Sequence, residues 1–190
     1  MRVVGGRHRG RRLIAPPGDA VRPTSDRARE ALFNILLHGE FAAAGSPLAD
    51  ENVLDAFAGT GALGIEALSR GAARAVFMET DRVALRALRQ NLAALDEEDA
   101  ADVISGDATR PPRAPFASTV AFLDPPYRSG LAAPALTALA AMGWLAARAI
   151  AVVEIAADEE FSPPDGFTLV DGRKYGAARL VFLRRDGGKR

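Results

Sequence analysis

The segment Asp124-Pro125-Pro126-Tyr127 places several chemically useful groups together at the end of an apolar run. Proline extends a strand poorly, because its ring fixes φ and its nitrogen has no hydrogen to donate. A strand that ends at this segment therefore presents a carboxylate, backbone carbonyls and a flat aromatic ring. These groups suit a ligand that carries a planar amine.

An aromatic exocyclic amine is a weak nucleophile, because the lone pair of its nitrogen is delocalised into the ring. If the Asp124 carboxylate and the Pro125 carbonyl both accept its hydrogens, the lone pair becomes available for attack. The carboxylate also stabilises the charge that develops on nitrogen, and Tyr127 would stack on the base. We therefore predict a catalytic corner, formed by Asp124, Pro125, Pro126 and Tyr127. Taken alone, the same residues also fit a turn without catalytic function.

A second segment, residues 59–64, has the pattern G-x-G-x-x-G after an apolar run, and Glu79 follows Gly59 by 20 residues. This spacing is typical of sites that bind a nucleoside cofactor. The glycines let the backbone approach the ligand, and an acid at the end of the next strand accepts bonds from ribose hydroxyls. We predict cofactor contacts from Gly59, Gly61 and Glu79.

Asp55, just before the glycines, helps to choose between cofactors. A carboxylate would repel the pyrophosphate of NAD but attract the ammonium group of S-adenosylmethionine. The pattern therefore favours S-adenosylmethionine over NAD. Asp107 follows the third strand of the series, where it could accept a bond from the adenine amine or simply close a turn.

The absence of cysteine narrows the chemistry further, since the chain has no thiol nucleophile and no disulfide. Methylation at C5 of a pyrimidine usually needs such a thiol, so an exocyclic amine is the better acceptor. With only His8 and His38, a metal site is not expected. The sequence has neither a long apolar run nor a secretory signal, and we expect a cytoplasmic protein that does not enter the membrane.

Charge is unevenly distributed although the net charge is zero. Residues 1–30 contain eight arginines and three acids, a balance of +5, whereas residues 79–107 contain eight acids and three arginines, a balance of −5. A cluster of arginines at one end favours a nucleic-acid contact, although a solvated surface would also explain it. The acidic segment 96–102 should face away from such a ligand or form a flexible edge.

Strands and helices must hold these side chains in place. Beyond residue 52 the two patterns alternate along the chain, which predicts a mostly parallel sheet with helices on both faces. Residues 2–15 are predicted to form a hairpin, and a helix capped by Thr24 is predicted before Gly39. Residues 172–176 are predicted to form the turn of a closing hairpin. The predicted strands are 53–57, 74–79, 101–104, 119–124, 149–155, 167–171 and 178–184, and the later helices are 62–70, 82–94 and 131–141. We divide the chain into an arginine-rich extension, 1–40, and a catalytic domain, 41–190.

The chain resembles class I S-adenosylmethionine-dependent amino-methyltransferases in three features. These are the motif Val53-Leu54-Asp55-Ala56-Phe57-Ala58-Gly59-Thr60-Gly61, the acidic end of the second strand, and DPPY. Four narrower segments resemble the bacterial 16S ribosomal RNA guanine-N2 methyltransferase family, the RsmD type. They are RVVGGRHRGRRL, RPTSDRAREALFNIL, FAGTGALGIEALSRGA and GWL. The similarity covers nearly the whole chain. It implies a Rossmann-like α/β fold with a seven-stranded sheet.

The resemblance also implies roles for individual residues. Cofactor contacts are expected from Asp55, Phe57, Gly59, Gly61, Glu79 and Asp107. RNA contacts are expected from Arg7, Arg9, Arg11, Arg12 and Arg22, the last beside the active site together with Pro23 and Thr24. The implied substrate is a guanine of 16S rRNA within an assembling 30S subunit, with no obligate protein partner.

Two other functions stay open at this point. The first is an adenine-N6 methyltransferase that acts on DNA or RNA, because DPPY also occurs in DNA adenine methyltransferases. The second is a non-catalytic RNA-binding assembly factor that keeps the methyltransferase fold. The intact glycine loop argues against the second.

Overall fold

The computed structural model describes residues 1–15 and 26–187, and its centre is one seven-stranded sheet. The predicted strand–helix alternation is confirmed. The elements are α1 (Asp26–Leu37), β1 (Asn52–Ala56), α2 (Ala62–Ser69), β2 (Arg74–Glu79), α3 (Arg82–Ala94), β3 (Ala101–Ser105), β4 (Ser118–Leu123), α4 (Ala132–Ala141), β5 (Leu145–Ala156), β6 (Phe167–Tyr175) and β7 (Ala178–Arg185). Short 3-10 turns follow α1 at Gly39–Ala42 and precede β3 at Glu98–Ala100.

The strand order is β3-β2-β1-β4-β5-β7-β6, with β7 antiparallel to both of its neighbours. The chain runs outward from β1 to β3 and then returns to the other side of β1 through β4. Ligands of open α/β sheets bind at the carboxyl ends of the strands at such a switch point. The loops after β1 and β4 are therefore placed side by side.

Alternate residues of the strands fill two apolar layers, one on each face of the sheet. Helices α1, α2 and α3 pack on the face that includes Phe77 and Phe122. Helix α4 and the fully buried Trp144 cover the other face. Burial on both faces explains why the strands are almost continuously apolar rather than alternating.

Two strands extend further than the sequence suggested. The predicted turn at 172–176 is wrong, because β6 continues to Tyr175 and reverses at Gly176, where φ is +61°. Strand β5 begins at Leu145 rather than at Ala149, with an irregularity in its pairing to β4 near Val120. For β6, pairing to β7 overrides the local signal, since polar or glycine residues can still hydrogen-bond to a neighbouring strand.

The amino-terminal hairpin is confirmed by an antiparallel bridge between Arg2 and Arg12, and it packs on α2. Val3 and Leu13 are buried in the main apolar layer. Glu66 of α2, itself buried, accepts from the Val4 N–H at 2.8 Å and pairs with Arg70 at 2.7 Å. These contacts attach the hairpin to the rest of the fold.

The acidic segment after α3 contributes one carboxylate to the attachment of the hairpin. Glu97 lies beneath it with a side chain that is only 4% exposed, and it pairs with both Arg7 and His8. The Arg7 Nε donates to Glu97 Oε1 at 2.8 Å. A buried carboxylate needs such partners, which the hairpin supplies, whereas Asp96, Glu98 and Asp99 remain exposed.

Gly64→Ala in α2 is expected to lower the free energy of unfolding by about 1–2 kcal/mol. An added Cβ would lie 2.3 Å from the ring of Phe77, which is fully buried and cannot move aside. The gain in helix propensity, about 1 kcal/mol, offsets only part of this overpacking. Chemical denaturation measures the change. Gly187→Ala is the control, because its methyl would meet no atom within 4 Å. Equal stability of the two variants would contradict this account.

Among the described residues, no helix combines the length and the apolar character that a membrane crossing requires.

Candidate active site

A cavity of about 850 Å³ opens at the carboxyl ends of strands β1 to β5. Its volume lies in the range of small-molecule sites, roughly 300–1,000 Å³. Nine of the ten residues predicted for the cofactor and the catalytic corner line it: Asp55, Phe57, Gly59, Glu79, Asp107, Asp124, Pro125, Pro126 and Tyr127. The fold thus brings together loops that are up to 70 residues apart in sequence.

Asp55 lies near the end of β1 and is 1% exposed. Its Oδ2 accepts from the Gly64 N–H at 2.8 Å. The pKa of Asp55 is raised to about 8, mainly by burial; the Gly64 hydrogen bond opposes this rise and the negative charge of Glu79 adds to it. No cationic side chain of the described residues pairs with it. A ligand cation in the cavity would therefore stabilise its carboxylate.

Glu79 at the end of β2 holds the glycine loop in place. Its Oε2 accepts from the Gly59 N–H at 2.7 Å, and its Oε1 accepts from the N–H groups of Thr80 and Asp81 at 2.7 and 2.8 Å. Oε1 also accepts from the Thr80 hydroxyl at 3.4 Å, whereas Oε2 accepts only the Gly59 bond among the described residues. Since each carboxylate oxygen has about two lone-pair sites, Oε2 keeps one for a ribose hydroxyl. The structure therefore adds a loop-positioning role to the predicted ligand contact.

The loop after β1 contains three residues with positive φ, Phe57, Gly59 and Gly61, and the first and last of them serve different purposes. Phe57 has φ +64°, which is unfavourable for a side chain that branches into a ring. Its ring lines the cavity. Gly61 has φ +83° and does not line the cavity. An added Cβ at this position would lie 2.3 Å from Leu88 in the core. Gly61 thus allows the loop to pack closely on α3.

Asp107, after β3, is exposed and forms the turn that the sequence offered as an alternative. Its Oδ1 accepts from the Thr109 N–H at 2.8 Å and from Thr109 Oγ1 at 2.7 Å. These two bonds, from the backbone first, lower the pKa of Asp107. The residue also lines the cavity, so turn formation and a ligand contact are compatible.

The predicted catalytic corner begins directly after β4, which ends at Leu123. Pro126 accepts from the Ser129 N–H at 3.2 Å, and this bond closes a turn after the prolines. The Tyr127 hydroxyl donates to Glu154 Oε1 at 2.8 Å. This bond fixes the outer end of the Tyr127 ring at the cavity wall.

The arginine-rich hairpin adjoins this cavity, since Met1 lines it and accepts from the Leu13 N–H. The side chains of four predicted RNA-binding residues are exposed: Arg7, Arg9, Arg11 and Arg12. Arg7 pairs with Glu97, and Arg11 donates to the Ala94 carbonyl. Arg22, together with Pro23 and Thr24, lies outside the described residues.

Two residues of this region were missed by sequence reasoning. Glu154 is a buried carboxylate in the apolar strand β5 and lines the cavity. An isolated acid within an apolar run is the signal that could have revealed it. Asn91 on α3 is buried and donates to the carbonyls of Thr60 and Ile14, at 3.0 and 3.1 Å. It joins the glycine loop to the hairpin, and no local pattern indicates such a link.

The strand order and the two loops that meet in the cavity place this protein among the class I S-adenosylmethionine-dependent methyltransferases. The predicted Rossmann-like fold and cofactor are confirmed at this level.

Comparison with known proteins gives the family. The family described as Conserved hypothetical protein 95 matches residues 1–184, and the chain belongs to it. Ribosomal RNA small subunit methyltransferase D of Escherichia coli strain K12 is 41% identical over 154 residues, which cover 81% of this chain and 74% of that protein. The Haemophilus influenzae protein of the same name is 35% identical over 180 residues, with 93% and 89% covered. The solved structure of Escherichia coli yhhF has 36% identity, a TM-score of 0.82 and 99% coverage of both chains.

Proposed function

We propose that this protein transfers the methyl group of S-adenosylmethionine to the N2 amine of a guanine in 16S rRNA, within an assembling 30S subunit in the cytoplasm. The observation that carries the proposal is the opening of the Asp124–Tyr127 corner into the same cavity as Asp55 and the glycine loop. The names of the curated relatives support small-subunit rRNA as the substrate. Guanine and its N2 amine rest on the sequence resemblance.

The residues of the cavity fit S-adenosylmethionine. Asp55 is a buried acid with a raised pKa, and the ammonium group of the cofactor would supply the cation that this environment lacks. The half-buried Gly59 and the apolar lining around Phe57 and Met78 suit the adenosine part of the molecule. When bound, the cofactor supplies an electrophilic methyl group on a sulfonium.

The chain's own residues then act on the acceptor amine. Asp124 and the Pro125 carbonyl accept the two N2 hydrogens and direct the nitrogen lone pair toward the methyl group. With the cofactor bound, its methyl group would pass to this nitrogen, and the electron pair of the broken S–C bond would stay on sulfur. Asp124 stabilises the positive charge on nitrogen and accepts the proton that it loses. Tyr127 supports the unstacked base with its ring.

The proposal is tested with tritiated S-adenosylmethionine and 30S subunits from cells that lack this protein. We expect label in a single guanine, identified as N2-methylguanosine by mass spectrometry of the nucleosides. Label in adenine would instead favour the N6 reaction. An absence of cofactor binding in calorimetry would favour a non-catalytic assembly factor.

The double variant Arg9→Ala/Arg12→Ala is expected to weaken RNA binding and to lower the slope of log K against log salt by about 1 per arginine. Within the described part of the chain, these two exposed arginines form no ion pair with a carboxylate, in contrast to Arg7. Filter binding at several salt concentrations measures the slope. Arg113→Ala is the control, since this exposed arginine adjoins Ala114, which packs on the face of the sheet opposite to the hairpin. An unchanged slope in the double variant would assign Arg9 and Arg12 to an ordinary solvated surface.

A further inference from the structure

Glu154 is a buried acid beside the catalytic corner that the mechanism above does not use. The pairing of β4 with β5 sets Leu123 opposite Val153, so the next residues, Asp124 and Glu154, follow on adjacent strands. Neighbouring strands are about 4.8 Å apart. Both carboxylates line the cavity, and Glu154 is only 5% exposed. Carboxylates are rarely buried unless they bind a partner, which suggests a specific task.

The known contact of Glu154 orients it. Its Oε1 accepts from the Tyr127 hydroxyl at 2.8 Å, so the carboxylate is tied to the ring that we assign to base stacking. A carboxylate accepts about four hydrogen bonds, so the bond from Tyr127 is compatible with a further bond from a ligand. A base that stacks on Tyr127 would bring its polar edge toward Asp124 and Glu154 together.

The polar edges of the two purines differ in a way that two adjacent carboxylates can distinguish. Guanine presents N1–H next to its N2 amine, so these two neighbouring positions of its edge are both donors. Adenine presents an N1 lone pair next to its N6 amine, and this lone pair would face a carboxylate and be repelled. A site that binds a donor strongly rejects an analogue that lacks it, because a buried acceptor is left unpaired.

We propose that Glu154 selects guanine by accepting the N1–H of the target base, while Asp124 holds the N2 amine. This inference rests on the proposed function, and it assigns the choice of purine to a particular residue.

The test uses 2-aminopurine in place of the target guanine in reconstituted 30S subunits. This base keeps the N2 amine but has an N1 lone pair instead of N1–H. We expect wild-type kcat/KM for guanine to exceed that for 2-aminopurine by roughly 10- to 150-fold. Glu154→Gln should reduce this ratio to within a few-fold of one, because the glutamine amide can donate to the N1 lone pair. Glutamine also retains an oxygen that can accept from Tyr127.

Tyr127→Phe is the matched control, since it removes the bond to Glu154 but keeps both the ring and the carboxylate. It should retain most of the wild-type ratio. If Glu154 only supported Tyr127, Glu154→Gln would lower both rates equally and leave the ratio unchanged, which overturns the inference. Equal wild-type rates on the two bases would also overturn it, without any variant. Failure of the wild type to methylate guanine at all would instead refute the proposed function.

Discussion

Asp124→Ala is expected to lower kcat by about 10²- to 10⁴-fold, the usual contribution of a positioned acid–base group, while the affinity for S-adenosylmethionine stays near that of the wild type. The reason is that Asp124 follows β4 and acts on the acceptor amine, whereas the predicted cofactor contacts follow β1, β2 and β3. Single-turnover methylation measures the chemical step, and calorimetry measures the affinity.

Asp158→Ala provides a matched loss of one carboxylate close to the same corner. Asp158 is an exposed residue that pairs with Arg128 at 2.7 Å. Its replacement should leave kcat almost unchanged. Turnover of Asp124→Ala at the rate of this control would show that the corner does not hold the amine.

Asp55→Asn is expected to weaken S-adenosylmethionine binding by roughly 10- to 150-fold, the worth of a hydrogen bond to a charged group. Since the pKa of Asp55 is about 8, the wild-type side chain is mainly protonated at pH 7. Binding of an ammonium group must release this proton, so wild-type affinity should rise with pH between 6 and 7. The variant should show neither the rise nor the release. Calorimetry in buffers of different ionisation enthalpy detects the released proton.

In the absence of cofactor, the same substitution should raise the free energy of unfolding at high pH. A measured gain of this kind also shows that the variant is folded. The folded pKa of Asp55 is higher than the unfolded value of 3.8. Stability from Asp55 is therefore fully present below pH 3.8 and is lost as the pH rises toward 8, at up to about 1.4 kcal/mol per pH unit. Asp55→Asn removes this loss, so its free energy of unfolding relative to wild type should increase from pH 5 to pH 8. A variant that bound cofactor normally and showed the wild-type pH dependence would refute both expectations.

The sequence predicted most of the fold and the principal parts of the site because their signals are local. Glycines before α2, prolines after β4 and acids at strand ends mark loops, and the rule for open sheets then places these loops at one edge. Glu154 and Glu97 were not predicted in their roles. Each depends on a partner 27 or about 90 residues away, Tyr127 in one case and Arg7 in the other. Such pairs form only when distant segments pack, and spacing along the chain does not reveal them.

The end of β6 was predicted wrongly for a different reason, because here a local preference was misleading. Gly172 and Arg173 favour a turn by local preference, but β7 provides a pairing partner for every residue from Asp171 to Tyr175. The prediction erred because it weighed residue preference without the neighbouring strand.

The attachment of the hairpin has a consequence for the thermodynamics of RNA capture. Ser69 accepts from the backbone N–H groups of Arg7 and His8 at 2.8 and 2.9 Å and donates to the Gly5 carbonyl at 2.6 Å, while Asn91 secures Ile14. The backbone that carries the arginines is therefore ordered before any ligand arrives. Ordering a free segment would cost about 1–2 kcal/mol per residue at the moment of association. Here that entropy has already been lost during folding, and only the arginine side chains still have conformational freedom to lose.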